Sequence, residues 1–145
     1  MTARPVPPLP DVDDALAAPF WAAARERRLA LQRCGACGYV AWPPARVCPD
    51  CLAQRLRWEA VAQTGEIWSF AVYHRALHPA FAAAVPYAVL AVTLDAGPLM
   101  IGAAVDAIDR LAVGARVRVR FEDVAARVTL VRFALDDGTA PGAPR

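Results

Sequence analysis

Cys34-Gly35-Ala36-Cys37-Gly38 and, after nine intervening residues, Cys48-Pro49-Asp50-Cys51 are the stretch that decides the first part of this fold. Each C-x-x-C turn places two thiolates on the same side of a tight loop. Two such turns supply the four-sulfur tetrahedral shell that zinc accepts without redox change. Gly38 follows a ligand position, where a residue free to take positive φ lets backbone N–H groups face sulfur. The segment between the pairs holds Trp42, Pro43 and Pro44, which favours a compact ribbon. In a reducing cytoplasm, the compartment expected here, paired cysteines mean metal rather than disulfides. Zinc is favoured, and a rubredoxin-type iron centre, which uses the same pairs, is the alternative. With Cys34, Cys37, Cys48 and Cys51 all committed, no position stays open for substrate. Such a site is structural and contributes folding energy to a module too small to form a core alone.

Working outward, residues 1–10 read as a disordered arm and residues 11–30 as N-terminal helices. Asp11 is an N-cap for a first short helix to Ala18. Pro19 suits the first turn of a second, which runs through Phe20, Trp21 and Ala24 to Arg28. Packing against the body of the protein is the ordinary use of such an aromatic stripe. The ribbon spans 31–58. Beyond it, strands are expected at Glu66 to Arg75, Tyr87 to Leu94, Leu99 to Val105, Arg116 to Glu122 and Arg127 to Ala134. A short helix at Ala107 to Leu111 separates the third strand from the fourth. Three strands, a helix and two strands is the order of an OB fold, placed here over 59–135. The fold class is thus mainly β with N-terminal helices, a rubredoxin-like zinc ribbon and a five-stranded OB-fold barrel. Residues 136–145, rich in Gly and Pro, read as a disordered tail.

Composition removes several chemistries. The net charge is +2, too small for a chain built chiefly to grip phosphate backbones, so nucleic acid is a disfavoured partner. The sequence has no lysine, which excludes Schiff-base catalysis, and a single serine, Ser69. Met1 to Pro10 lacks the apolar core of a secretory signal. Ala76 to Leu94 carries no formal charge, but Pro79 and Pro86 interrupt it, and a spanning helix needs about 20 uninterrupted residues. It reads as buried sheet, with no membrane partner.

The order Pro19-Phe20-Trp21, Gln32-Arg33-Cys34, Cys37-Gly38, Pro43-Pro44 and Cys48-Pro49-Asp50-Cys51 carries a resemblance, continued by Gly65-Glu66-Ile67-Trp68-Ser69-Phe70, His74-Arg75, Pro86-Tyr87 and Leu94-Asp95-Ala96-Gly97-Pro98. From about Pro19 to Ala134 the sequence resembles the bacterial and archaeal zinc-ribbon/OB-fold proteins associated with acyl-CoA metabolism. The resemblance implies a small subunit that accompanies thiolase-fold enzymes, including thiolases, acyltransferases and retro-aldolases acting on CoA thioesters. It transfers the four metal ligands and no catalytic set. Two departures stand out. Arg27 occupies a place at the end of the helix where relatives often have glycine, and Leu52 replaces the glycine common after the last cysteine.

The expected function is therefore a non-catalytic accessory subunit of a thiolase-like enzyme of acyl-CoA, lipid or steroid side-chain metabolism, with binding of single-stranded nucleic acid as the alternative. Tyr87 to Leu94 and Leu99 to Val105 decide between them: they offer neither the basic nor the many aromatic side chains of a strand-reading OB face. One face lines the barrel, and the other exposes apolar residues that either the N-terminal helices or a partner protein must cover. Arg116, Arg118 and Arg120 alternate along one strand face. They read as a solvated outer row, and as candidates for the phosphates of CoA. His74 and His78 flank a loop and read as loop structure or partner contact rather than acid–base groups.

Overall fold

The computed structural model describes residues 5–137, so part of the expected arm (1–4) and of the expected tail (138–145) lies outside the described residues. One helix, α1 (Ala18–Arg25), opens the structure, with Pro19 in its first turn as its fixed φ dictates. The expected first helix is absent. Asp11 Oδ1 instead accepts from the Asp13 N–H, and Asp14 Oδ1 from Leu16 and Ala17. These side chains satisfy the local backbone in turns, which is how Asp competes with helix when no apolar face is available to bury.

The helix ends in a Schellman motif: the Arg28 N–H reaches the Ala23 carbonyl at 2.9 Å and the Arg27 N–H reaches Ala24 at 3.0 Å. Arg27 takes the left-handed position at φ 60°. The departure from glycine noted above therefore leaves the cap geometry intact and places a non-glycine residue in it.

Three strands form the ribbon sheet in the order β2-β1-β3: β1 (Ala30–Cys34), β2 (Val40–Ala41) and β3 (Leu56–Ala60), all antiparallel. The buried Gln32 side chain accepts from the Ala45 N–H at 2.8 Å and ties the following proline loop to β1. Five strands form the second sheet, ordered β6-β5-β4-β7-β8. They are β4 (Thr64–Tyr73), β5 (Tyr87–Leu94), β6 (Leu99–Ala103), β7 (Arg116–Ala125) and β8 (Val128–Leu135), with a 3-10 turn at Ile108–Arg110 between the third and fourth. Closure comes from a parallel bridge between Ala104 and Phe133, with the Val105 N–H on the Phe133 carbonyl at 2.9 Å. The Phe133 ring lies over Gly102, where a Cβ would stand 2.8 Å from it. Glycine there lets the two edges meet.

Alternation along the strands fills the barrel. Ala88, Leu90, Val92 and Leu94 of β5 point in, as do Ile67, Met100, Val117, Val119 and Phe133. Phe20, Leu29, Leu31 and Val40 belong to the same apolar cluster, so ribbon, helix and barrel share one core. Phe20 packs on Trp42 with ring centroids 4.5 Å apart. The helix contacts β8, β1 and β7. It fulfils the packing role expected of its aromatic stripe and does not lie on β5 or β6.

Candidate functional site

Cys34 ends β1, Cys37 lies in the turn to β2, and Cys48 and Cys51 lie in the loop before β3. The two turns are built alike. The Gly38 N–H donates to the Cys34 carbonyl at 2.9 Å, and the Leu52 N–H to the Cys48 carbonyl at 3.0 Å. The Cys34 N–H reaches Tyr39, and the Cys48 N–H reaches Ala53, at 2.8 and 2.9 Å. Gly38 and Leu52 both adopt positive φ, 79° and 63°. The leucine thus reproduces the backbone of the glycine knuckle.

The four Sγ atoms lie within 4.8 Å of one another, with Cys34–Cys51 and Cys37–Cys48 both at 3.7 Å. A disulfide needs about 2.05 Å. A tetrahedron with metal–sulfur bonds of about 2.3 Å has sulfur–sulfur edges of roughly 3.8 Å. The spacing fits a metal and excludes a bond. Backbone N–H groups of Cys37 and Ala36 face the Cys34 sulfur and draw its thiol down to about 6. At Cys37 the Tyr39 N–H works in the same direction, but desolvation and the neighbouring sulfurs outweigh it and push that thiol up to about 12. One anion is welcome in the cluster and four are not, unless a cation sits among them. Cys34 and Cys48 are buried, and Cys37 and Cys51 are exposed. The group is a structural metal site set in the flank of the ribbon.

The arginine row lies on the outer face of β7, with Val117 and Val119 inward. Its members do not act together. Arg116 forms a bidentate pair with Asp95, at 2.9 and 2.5 Å, and Arg118 pairs with Asp136. Arg116 and the Thr64 hydroxyl hold Asp95 down to about 2. Arg120 has no carboxylate partner among the described residues and stands across from Arg132, which pairs with Glu122. Arg120 and Arg132 line an open groove of about 500 Å³ with Val105 and Phe121. Burial lowers the Arg132 pKa.

His78 Nδ1 accepts from the Ala80 N–H at 3.1 Å and caps the 3-10 turn Pro79–Phe81, the loop role expected of it. His74 is exposed. The outer face of β4–β5–β6 is apolar, and the main contacts of α1 lie elsewhere, on β8, β1 and β7. Ala91 sits between Ser69 and Ile101, Val89 between Ala71 and Ala103, and Tyr73 stacks on Tyr87 at 5.2 Å. Sequence reading left Trp68 unassigned. It is 64% exposed next to a fully buried Ile67, and the bulge between Ile67 and Ser69 leaves Ser69 exposed beside it. Alternation from Ile67 points Trp68 outward, and the bulge breaks the pattern only at Ser69.

Residues 21–57 match the family described as the ChsH2 rubredoxin-like zinc ribbon domain, and residues 58–122 the ChsH2 C-terminal OB-fold domain. A probable enoyl-CoA hydratase alpha subunit from Thermomonospora curvata is 36% identical over 118 residues, 79% of this chain. The chain spans only 36% of that relative's length. Among solved structures, the chain is similar to one described as the Ltp2-ChsH2(DUF35) aldolase, with a TM-score of 0.77 and 31% identity, over 87% of this chain and 98% of that one. A DUF35 protein of unknown function from Sulfolobus solfataricus shares the fold, with a TM-score of 0.61 at 13% identity, over 85% and 87% of the two chains. With its ribbon, its barrel and nearly the full length of a ChsH2 chain accounted for, this chain belongs to the ChsH2 (DUF35) family of zinc-ribbon/OB-fold proteins.

Proposed function

We propose that this chain is the non-catalytic partner subunit of a thiolase-fold enzyme acting on acyl-CoA thioesters, and that Cys34, Cys37, Cys48 and Cys51 hold a structural zinc ion. The observation that carries the reading is the likeness along 98% of the matched chain of the structure described as the Ltp2-ChsH2(DUF35) aldolase. The hydratase relative is matched over a much smaller share of its length, so the aldolase-type partner is the first choice. Zinc is preferred to iron because a closed thiolate site in a ribbon needs no electron transfer, and zinc supplies folding energy without it.

The residues support a subunit without chemistry of its own. The four cysteines are the one group of three or more metal-ligating side chains brought together among the described residues, and they leave no open ligand position. Ser69 is exposed on the outer sheet face, and His78 is occupied in capping a turn. Of the arginine row, Arg116 and Arg118 are engaged by carboxylates. If CoA touches this chain, Arg120, beside Arg132, is the residue placed to meet a phosphate. The nucleic-acid reading draws no support from the β4–β5–β6 face, which is apolar where a strand-binding surface needs arginine. No helix among the described residues is long and apolar enough to cross a membrane. Free thiolates persist as ligands in a reducing compartment, which favours the cytoplasm.

The test is co-expression with a thiolase-fold protein of the same organism, followed by gel filtration. The two should elute together, with zinc in stoichiometric amount to this chain. Separate elution, with the enzyme alone soluble and fully active, would count against the proposal.

A further inference from the structure

Antiparallel pairing sets Arg120 directly opposite Arg132 on the outer face of β7–β8. Like charges placed opposite one another destabilise a strand pair, so this part of the sheet carries a local cost. Glu122 offsets some of it by pairing with Arg132. Among the arginines of β7 and β8, Arg116 has Asp95 and Arg118 has Asp136, and Arg120 is left without a carboxylate among the described residues. Two guanidinium groups therefore share one carboxylate, and one positive charge is in surplus. Arg132 is partly withdrawn from water, its side chain 30% exposed, so solvent screens the pair less than it would on an open surface.

The space beside the pair has the size and lining of a ligand site. Ala104 and Val105, where the chain leaves β6, line it with Arg120, Phe121, Glu122 and Arg132, around the groove of about 500 Å³ described above. Small-molecule sites run from ~300 to ~1,000 Å³ and combine apolar walls with a few polar groups. Arg120 also borders a second depression, of about 220 Å³, but Asp106 and Asp137 line that one and would repel an anion. The groove toward Arg132 holds a single carboxylate, and it is already engaged.

A carboxylate or a phosphate would supply the missing negative charge. One guanidinium fork satisfies a carboxylate, as Arg116 does for Asp95 at 2.9 and 2.5 Å. Two forks on adjacent strands offer more donors than two oxygens use, and the three terminal oxygens of a phosphate monoester can accept from both. A nucleic-acid strand would need a continuous track of such groups, and the neighbouring Arg116 and Arg118 are engaged by carboxylates.

We propose that the Arg120–Arg132 groove binds the phosphate of a small phosphorylated compound, whose apolar part lies against Val105 and Phe121. Arg120 is the principal contact and Arg132 the second, while Glu122 competes with the ligand for Arg132. The site lies wholly on this chain and stands or falls separately from the subunit reading.

The experiment titrates the metal-loaded full chain with phenyl phosphate, inorganic phosphate and benzoate at constant ionic strength, following the arginine Nε–H signals by NMR. Circular dichroism confirms the fold of each variant. Phenyl phosphate should saturate the site with a Kd on the order of 1 mM, tighter than inorganic phosphate, with benzoate weakest. Arg120→Gln should weaken phenyl phosphate at least ~10-fold, while Arg75→Gln, which removes an equal charge from the loop after β4, should stay within about twofold of wild type. Glu122→Gln should tighten binding at least ~threefold, a gain that misfolding does not produce. Equal losses for Arg120→Gln and Arg75→Gln would reduce the effect to net charge and overturn the site. No saturation by phenyl phosphate up to ~20 mM, or weaker binding by Glu122→Gln, would overturn it as well. Benzoate binding as tightly as phenyl phosphate would overturn phosphate as the ligand class.

Discussion

Replacing Leu52 by glycine should make this protein more stable, an unusual expectation for removing a leucine. Leu52 sits at φ 63°, where an L-residue with a Cβ costs roughly 1–2 kcal/mol relative to ordinary backbone. Its side chain is 73% exposed, so little burial is lost on truncation. Glycine removes the steric cost but adds about 0.5–1 kcal/mol of backbone entropy to be lost on folding. The net gain is about 0.5–1 kcal/mol. In a chain of this size that raises Tm by about 2–4 °C if ribbon and barrel melt together. Because metal binds only the folded ribbon, it should also tighten metal retention roughly two- to fivefold. The matched partner is Gly38, at φ 79° in the equivalent knuckle position, with nothing within 4 Å of a built Cβ. Gly38→Ala should therefore lose about what Leu52→Gly gains, with no clash to confuse it. Thermal melts and competition against a chelator, run on both variants, read the two signs. Two neutral variants, or a less stable Leu52→Gly, would refute the claim that left-handed backbone governs these turns.

Gly102→Ala should destabilise by about 1–3 kcal/mol, read in urea melts, because its Cβ would stand 2.8 Å from the Phe133 ring at the barrel seam. Asp95 is held down to about 2 by Arg116 and Thr64, so its contribution is present above the unfolded value near 3.9 and is lost as pH falls toward 2. Asp95→Asn should accordingly be less stable than wild type by the same modest amount at pH 7 and pH 5, and the gap should shrink at pH 3. That comparison uses wild type minus variant, so metal loss common to both cancels. Cys34→Ser or Cys48→Ser should release the metal and loosen the ribbon, seen as loss of zinc in elemental analysis. Freshly purified wild type without zinc or iron would contradict the site itself.

Much of this was legible because alternation and punctuation agree. Tyr87–Leu94 is the observed β5 to the residue, bounded by Pro86 and the Asp95-Ala96-Gly97-Pro98 turn. The four cysteines announce their site by spacing alone. The parts that were not legible depend on partners distant in sequence. β4 starts at Thr64, not Glu66, because Thr64 pairs with Arg118, more than fifty residues on. The arginine row was visible as alternation, but its engagement by Asp95 and Asp136 was not. Ser69 joins Trp68 on the outer face through a bulge that no local pattern marks. Arg27 and Leu52 were noticed as departures from glycine, yet the backbone keeps the glycine conformation, since the hydrogen bonds of each turn outweigh the strain of one residue.

The central claim is that this chain completes an enzyme whose chemistry lies on another subunit. Assaying the thiolase-fold partner for cleavage or condensation of acyl-CoA while titrating in this chain tests it most directly. Activity should be absent from this chain alone, rise with its addition and saturate at a fixed stoichiometry. Full activity of the partner without it, unchanged by addition, would contradict the account.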